Sequence, residues 1–132
     1  MSVHLSPLDQ ALDPGTPAET LRFLAKREEC RAAVAANPNT PVEVLLRLAM
    51  AFPREVAGNV GFMLAVMTEP ERLDELEAST HTLAALCRVP GVPEAVLELG
   101  MRSSEISVLR SLLVNPNLPA SYVERLVRSK EK

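Results

Sequence analysis

The chain has 132 residues, enough for one domain with a proper core, and 47% of them are hydrophobic, which argues against wholesale disorder. A net charge of −3 and a pI near 5.4 supply no positive field for nucleic acid or anionic lipid. Aromatic residues are 3%, so the core must be built from Leu, Val, Ala and Met, with little left for stacking on bases or sugars.

From the start of the chain, Met1 to Pro7 lacks the basic opening and apolar run of a signal peptide. Ser6-Pro7 opens a short helix that runs through Leu12, and residues 1–12 are expected to cap the N-terminal end of the fold. The longest uncharged apolar stretch, Val56 to Met67, is broken by Gly58, Asn59 and Gly61 and is too short to span a bilayer. Cys30 and Cys87 form neither a Cys-x-x-Cys pair nor a dense secreted framework. A cytoplasmic location is the expectation.

Eleven prolines in so apolar a chain need a reason, and their spacing supplies it. A Pro-x-x-Pro unit recurs at Pro14/Pro17, Pro38/Pro41, Pro90/Pro93 and Pro116/Pro119. The first two units are 24 residues apart and the last two 26, while the middle gap is 52. A degenerate copy therefore belongs near the midpoint, and Asn59-Val60-Gly61-Phe62-Met63 fits it. Asn59 takes the place of Asn37 and Asn115, and both prolines are lost. A fixed period of this size marks a solenoid, here of about five repeats.

Each unit reads as a corner between helices. The residue before a proline is pushed out of the α region, which ends the preceding helix. Asn or Asp there bonds the local backbone. The second proline suits the first helical position, with Thr16 and Thr40 as N-caps and Glu19 and Glu43 completing capping boxes. Leu21, Leu45, Met67, Leu97 and Val123 form one expected core column, and Leu24, Leu48, Pro70, Gly100 and Leu126 a second. Val34, Val56, Leu86 and Leu112 precede the corners by three residues and form a third. Arg27-Glu28-Glu29 and the segment from Arg102 to Glu105 are polar enough to join the two helices of a repeat. Residues 61–78 are irregular: a truncated first helix, then an added short helix from Glu69 to Glu77. The solenoid is expected over 13–129, with a charged tail at 130–132.

The string from Ala33 to Ala49, AVAANPNTPVEVLLRLA, resembles a consensus variant leucine-rich repeat. The resemblance covers roughly residues 13 to 129, strongest in the first two and last two repeats. It implies an all-α, right-handed superhelix in which α-helices alternate with shorter, often 3₁₀, helices. It implies no shared activity. Some members carry a cysteine-rich iron–sulfur module ahead of the repeats, and nothing comparable stands here, so no cofactor is expected.

A search for chemistry returns no catalytic constellation, and no enzyme is expected. The glycines form no phosphate cradle. His4 and His81 are far apart and lack a second His or Cys at helical spacing, so no metal is expected. Cys30 and Cys87 fall in packing columns. Five acids against one arginine between Glu69 and Glu77 read as a solvated face, or as an acidic contact patch through Glu71, Asp74 and Glu75 for a basic partner.

Binding is the expected function. Positions two and six residues past each corner should form an exposed ridge: Glu19/Phe23, Glu43/Arg47, Ala65/Glu69, Ala95/Leu99 and Ser121/Arg125. Phe23, Leu99 and nearby Leu46 are large apolar residues at wet positions, and are the candidate contacts for a protein or peptide partner. Self-association through uncapped solenoid ends is the alternative. A nucleic-acid partner is disfavoured because the ridge alternates in sign, and no membrane partner is expected.

Overall fold

The computed structural model describes residues 6–69 and 71–130; His4, Pro70, Glu131 and Lys132 lie outside them. Among the described residues every regular element is a helix. The α-helices are α1 (Pro7–Leu12), α2 (Ala18–Leu24), α3 (Arg31–Ala36), α4 (Val42–Leu48), α5 (Pro53–Ala57), α6 (Val60–Thr68), α7 (Glu71–Glu77), α8 (Thr80–Cys87), α9 (Glu94–Met101), α10 (Ile106–Val114) and α11 (Ala120–Lys130). A single 3₁₀ turn, Glu28–Cys30, leads into α3. The expected alternation of α and 3₁₀ helices is therefore corrected: the short partners α5, α8 and α10 are α-helical, since each opens with a residue free to enter the α region and none holds a proline past its first turn.

The helices form two rows. In one, α1, α3, α5, α8 and α10 each pack on the next. In the other, α4, α6 and α9 pack in sequence, with α2 joined to α4 through Arg22 and Glu43, and α11 joined to α9 through Arg125 and Glu98. The α7 helix is extra to this pattern and packs on α6, α8 and α9. Val34, Val56, Leu86 and Leu112 are all fully buried where the rows meet.

The corners carry the repeat. Asn37 Nδ2 donates to the carbonyls of Ala11 and Asp13, both at 2.8 Å, while its Oδ1 accepts from the Asn39 N–H. Asn59 repeats this on Ala35 and Asn37, with Oδ1 taking the Gly61 N–H. Asn115 does so on Cys87 and Val89, with the Asn117 N–H. Each amide thus closes its own turn and also bonds two carbonyls at the end of the neighbouring helix one step back in the row, α1, α3 and α8 respectively, where intrahelical partners run out. Asp13, at the first corner, only accepts, from the Gly15 N–H.

Val89 has no donor to offer, so this chain of amides stops between Asn59 and Val89. The turn there changes type. Gly91 has φ of +82°, with Pro90 before it and the Val92 N–H bonded to Val89 O, the geometry of a type II turn. The asparagine corners need no positive φ.

The capping boxes expected at Thr16 and Thr40 do not form. Pro17 and Pro41 are themselves the N-caps, in extended conformation and one position later than expected. Both threonines are buried, and their hydroxyls donate backward to Gln10 O and Val34 O. Each of these carbonyls, which also accepts the N–H of Asp13 or Asn37, takes the hydroxyl in preference to the N–H groups ahead.

The degenerate corner changes its helix as well. With no prolines to hold a turn, α6 starts directly after Asn59, which caps it. Nine residues long, α6 is not truncated. Its early start shifts the register, so Phe62, Ala65 and Val66 are buried while Met67 is 70% exposed, against its expected place in the core column. Val123 in the same column is also exposed, on the outer face of α11. Gly61 is required here, because a Cβ would meet Pro38 O at 2.6 Å.

Replacing Asn59 by Asp removes both donors and sets a buried carboxylate against two carbonyls, so Asn59→Asp should cost about 3 kcal/mol or more. Asp13→Asn, at an exposed corner, should stay within about 0.5 kcal/mol of wild type. Urea denaturation followed by circular dichroism checks both, and equal effects at the two positions would contradict the role given to the amide.

Candidate interaction surface

Of the expected contact residues, Phe23 is exposed on α2, with the Lys26 ammonium 6.0 Å from its ring centroid. Leu46 is half-buried against the core from α4. Leu99 is only 2% exposed, which corrects its assignment as a wet contact: α9 turns this position into the core beside Val96 and Leu97. Ala65 is buried because the early start of α6 shifts its register, so the predicted ridge is continuous only across α2 and α4.

That ridge is occupied by its own charges. The Arg22 guanidinium bonds both Glu19 and Glu43, and Arg47 Nε donates to Glu43 O at 3.3 Å rather than pairing with its carboxylate. The hydrogen bond from Arg22 holds the Glu43 carboxyl below the usual carboxylate range. Both side chains stay about 40% exposed, so the pair is screened and weakly stabilising.

The acids Glu71, Asp74 and Glu75 are all exposed or half-exposed on α7. Glu75 is bonded by Arg72 Nη1 at 3.2 Å, and Arg72 Nε lies 3.6 Å from Glu69, too far for a hydrogen bond, so that buried nitrogen has no acceptor among the described residues. Glu77 faces Arg102 at 3.7 Å. Among the described residues Glu71 and Asp74 are left without a cation. Leu46 and Glu75 come together across a groove of about 400 Å³ that Glu43, Arg47, Leu76, Ser79 and Thr82 complete. Phe23 is not part of it.

A larger feature escapes the repeat columns. On α6, Val60 (59% exposed), Met63 (37%), Leu64 (56%) and Met67 (70%) face solvent. Their spacing of i, i+3, i+4 and i+7 makes one continuous apolar stripe, on a helix with no charged residue. The opposite face, Phe62, Ala65 and Val66, is in the core. The signal is present in the sequence: a surface helix apolar all round has one face too many for a single core. Hydropathy alone poses only the question of a membrane span, and among the described residues no helix is long and apolar enough to cross a membrane.

The reactive groups are elsewhere and enclosed. Cys30 and Cys87 are free and fully buried. Burial pushes the Cys87 thiol up to about 12, and its Sγ lies 3.8 Å from Val96 O. Burial raises the Cys30 thiol too. Both pack as small hydrophobes, as their columns imply. His81 is exposed at the start of α8. Among the described residues no three His, Cys, Asp or Glu side chains are grouped to hold a metal ion.

Two rows of stacked helices, joined by recurrent corners of which those at Asn37, Asn59 and Asn115 bond backward through buried amides, define an all-helical repeat protein. Residues 6–59 match the Leucine Rich Repeat Variant domain, so the resemblance carried by the corner motif is borne out over the span from α1 to the third corner. Repeat domains of this type suggest a protein-interaction module. No curated protein and no solved structure matches the chain.

Leu99→Ala should lower stability by roughly 3 kcal/mol, and Phe23→Ala by less than about 0.5 kcal/mol, in thermal melts. Glu43 makes a pH prediction. Its folded pKa lies below the unfolded one, so its contribution is present above about pH 4.3 and is lost as pH falls through the folded value. The small melting-temperature gap between wild type and Glu43→Gln should therefore close as the pH falls through the folded value. A gap that widened on acidification would contradict the pairing.

Proposed function

We propose that the chain is a non-enzymatic interaction module that presents α6, within a right-handed superhelix of about five repeats, to a protein or peptide partner. The single observation that carries this is the stripe of Val60, Met63, Leu64 and Met67. Four large apolar side chains in register on one uncharged helix are costly to leave in water, and contiguous patches of this kind mark docking sites. The two methionines add adaptability, since a flexible thioether side chain fits partners of differing shape.

In this reading α1 closes one end of the stack, packed on α2 and α3, and the solenoid runs over 13–129 with its irregular insertion at about 61–78. Two unpaired cysteines suit a reducing, cytoplasmic setting. Self-association is the second reading. It is favoured by Leu8 and Leu12 on α1 and by Val123 and Val127 on α11, all exposed at opposite ends of the stack.

A photoreactive benzoylphenylalanine at Leu64, compared with one at exposed Ser104, tests the proposal in living cells. The expected result is a discrete heavier adduct with another protein at position 64 only. An adduct with a second copy would transfer support to self-association, and no adduct at position 64 would remove the docking face.

A further inference from the structure

We infer that the occupant of α6 is a basic amphipathic helix, whose apolar face lies on Val60, Met63, Leu64 and Met67 and whose cations reach the carboxylates of α7. The inference rests on the docking role given to α6. The two helices are neighbours in chain and in space: α6 ends at Thr68, α7 starts at Glu71, and they pack together. Within Glu69 to Glu77, five carboxylates meet Arg72 from the segment and Arg102 from beyond it, which leaves Glu71 and Asp74 without a cation among the described residues. The apolar stripe carries no charge of its own, so all the charge selectivity of this surface comes from that acidic end.

A second copy of the chain fits less well. One helix stripe offers on the order of 400 Å² per partner, about half of what a stable interface buries on each side. Laying α6 on α6 would also set Glu71 and Asp74 against an uncharged helix, leaving their charges uncompensated. A partner helix with Lys or Arg beside its apolar face adds the missing contacts and steers its own approach to an acidic surface.

The test is fluorescence anisotropy on the full chain with a labelled amphipathic peptide of Leu and Lys at helical spacing, and with its Leu/Glu counterpart. The Leu/Lys peptide should bind in the range of about 10 µM and at least about tenfold tighter than the Leu/Glu peptide. Glu71→Gln with Asp74→Asn should weaken the Leu/Lys peptide about fivefold and flatten its salt dependence. Met67→Asp, and separately Leu64→Asp, should weaken both peptides with helicity unchanged. Equal binding of the two peptides, lost on Met67→Asp, would overturn the basic preference while leaving α6 as a docking face. Binding indifferent to both α6 substitutions would overturn the inference and the docking role together. A concentration-dependent dimer in sedimentation, abolished by Leu64→Asp, would overturn it in favour of a second copy.

Discussion

A helix that ends inside a stack leaves carbonyls with no partner, and here the asparagine amide at each regular corner takes up that task. The amide is the one side chain with an acceptor for its own turn and two donors for the helix behind it. Asn37, Asn59 and Asn115 are all buried and all make the same three bonds. These bonds tie each of the three corners to the helix one step back in the row, whereas Asp13 at the first corner only accepts, from the Gly15 N–H. At Val89 the chain solves the turn another way, through Pro90 and a left-handed Gly91, and loses the backward bonds.

The irregular middle obeys the same rule. Asn59 keeps its three bonds, but without Pro-x-x-Pro nothing delays the next helix, and α6 begins at once. The early start brings the backbone onto Pro38, which only a glycine at position 61 permits. It also moves the core positions nearer the corner, to Phe62 and Val66, and turns Val60, Met63, Leu64 and Met67 outward. This apolar surface is therefore a consequence of the one corner that lost its prolines.

Charge distribution separates this surface from the rest. On α2 and α4, Arg22, Glu19 and Glu43 satisfy one another, so the regular ridge has little left to offer a partner. On α7 the acids outnumber their arginines, and α6 beside them carries no charge at all. In the proposed docking mode, the acids of α7 beside the uncharged stripe of α6 would give the partner helix a direction.

The all-helical class, the corner positions and the fully buried column of Val34, Val56, Leu86 and Leu112 were determined by the sequence alone. Proline and asparagine act through local backbone geometry, which one repeat is enough to reveal. Phe23 as an exposed apolar side chain and Glu71, Asp74 and Glu75 as an acidic surface patch were also legible, because surface charge clusters and regular repeat positions transfer from one copy to the next. What depended on register across the degenerate corner was not. Met67 went to the surface because the face a helical residue presents changes by about 100° with each position of shift. That shift is set by the early start of α6 after Asn59, whereas Leu99 is buried with α9 in the regular register, on a helix against which the extra α7 packs. The threonines of the first two corners were decided in the same way: the sequence offered both a forward cap and a backward bond, and only the packed end of the preceding helix made the backward one worth more.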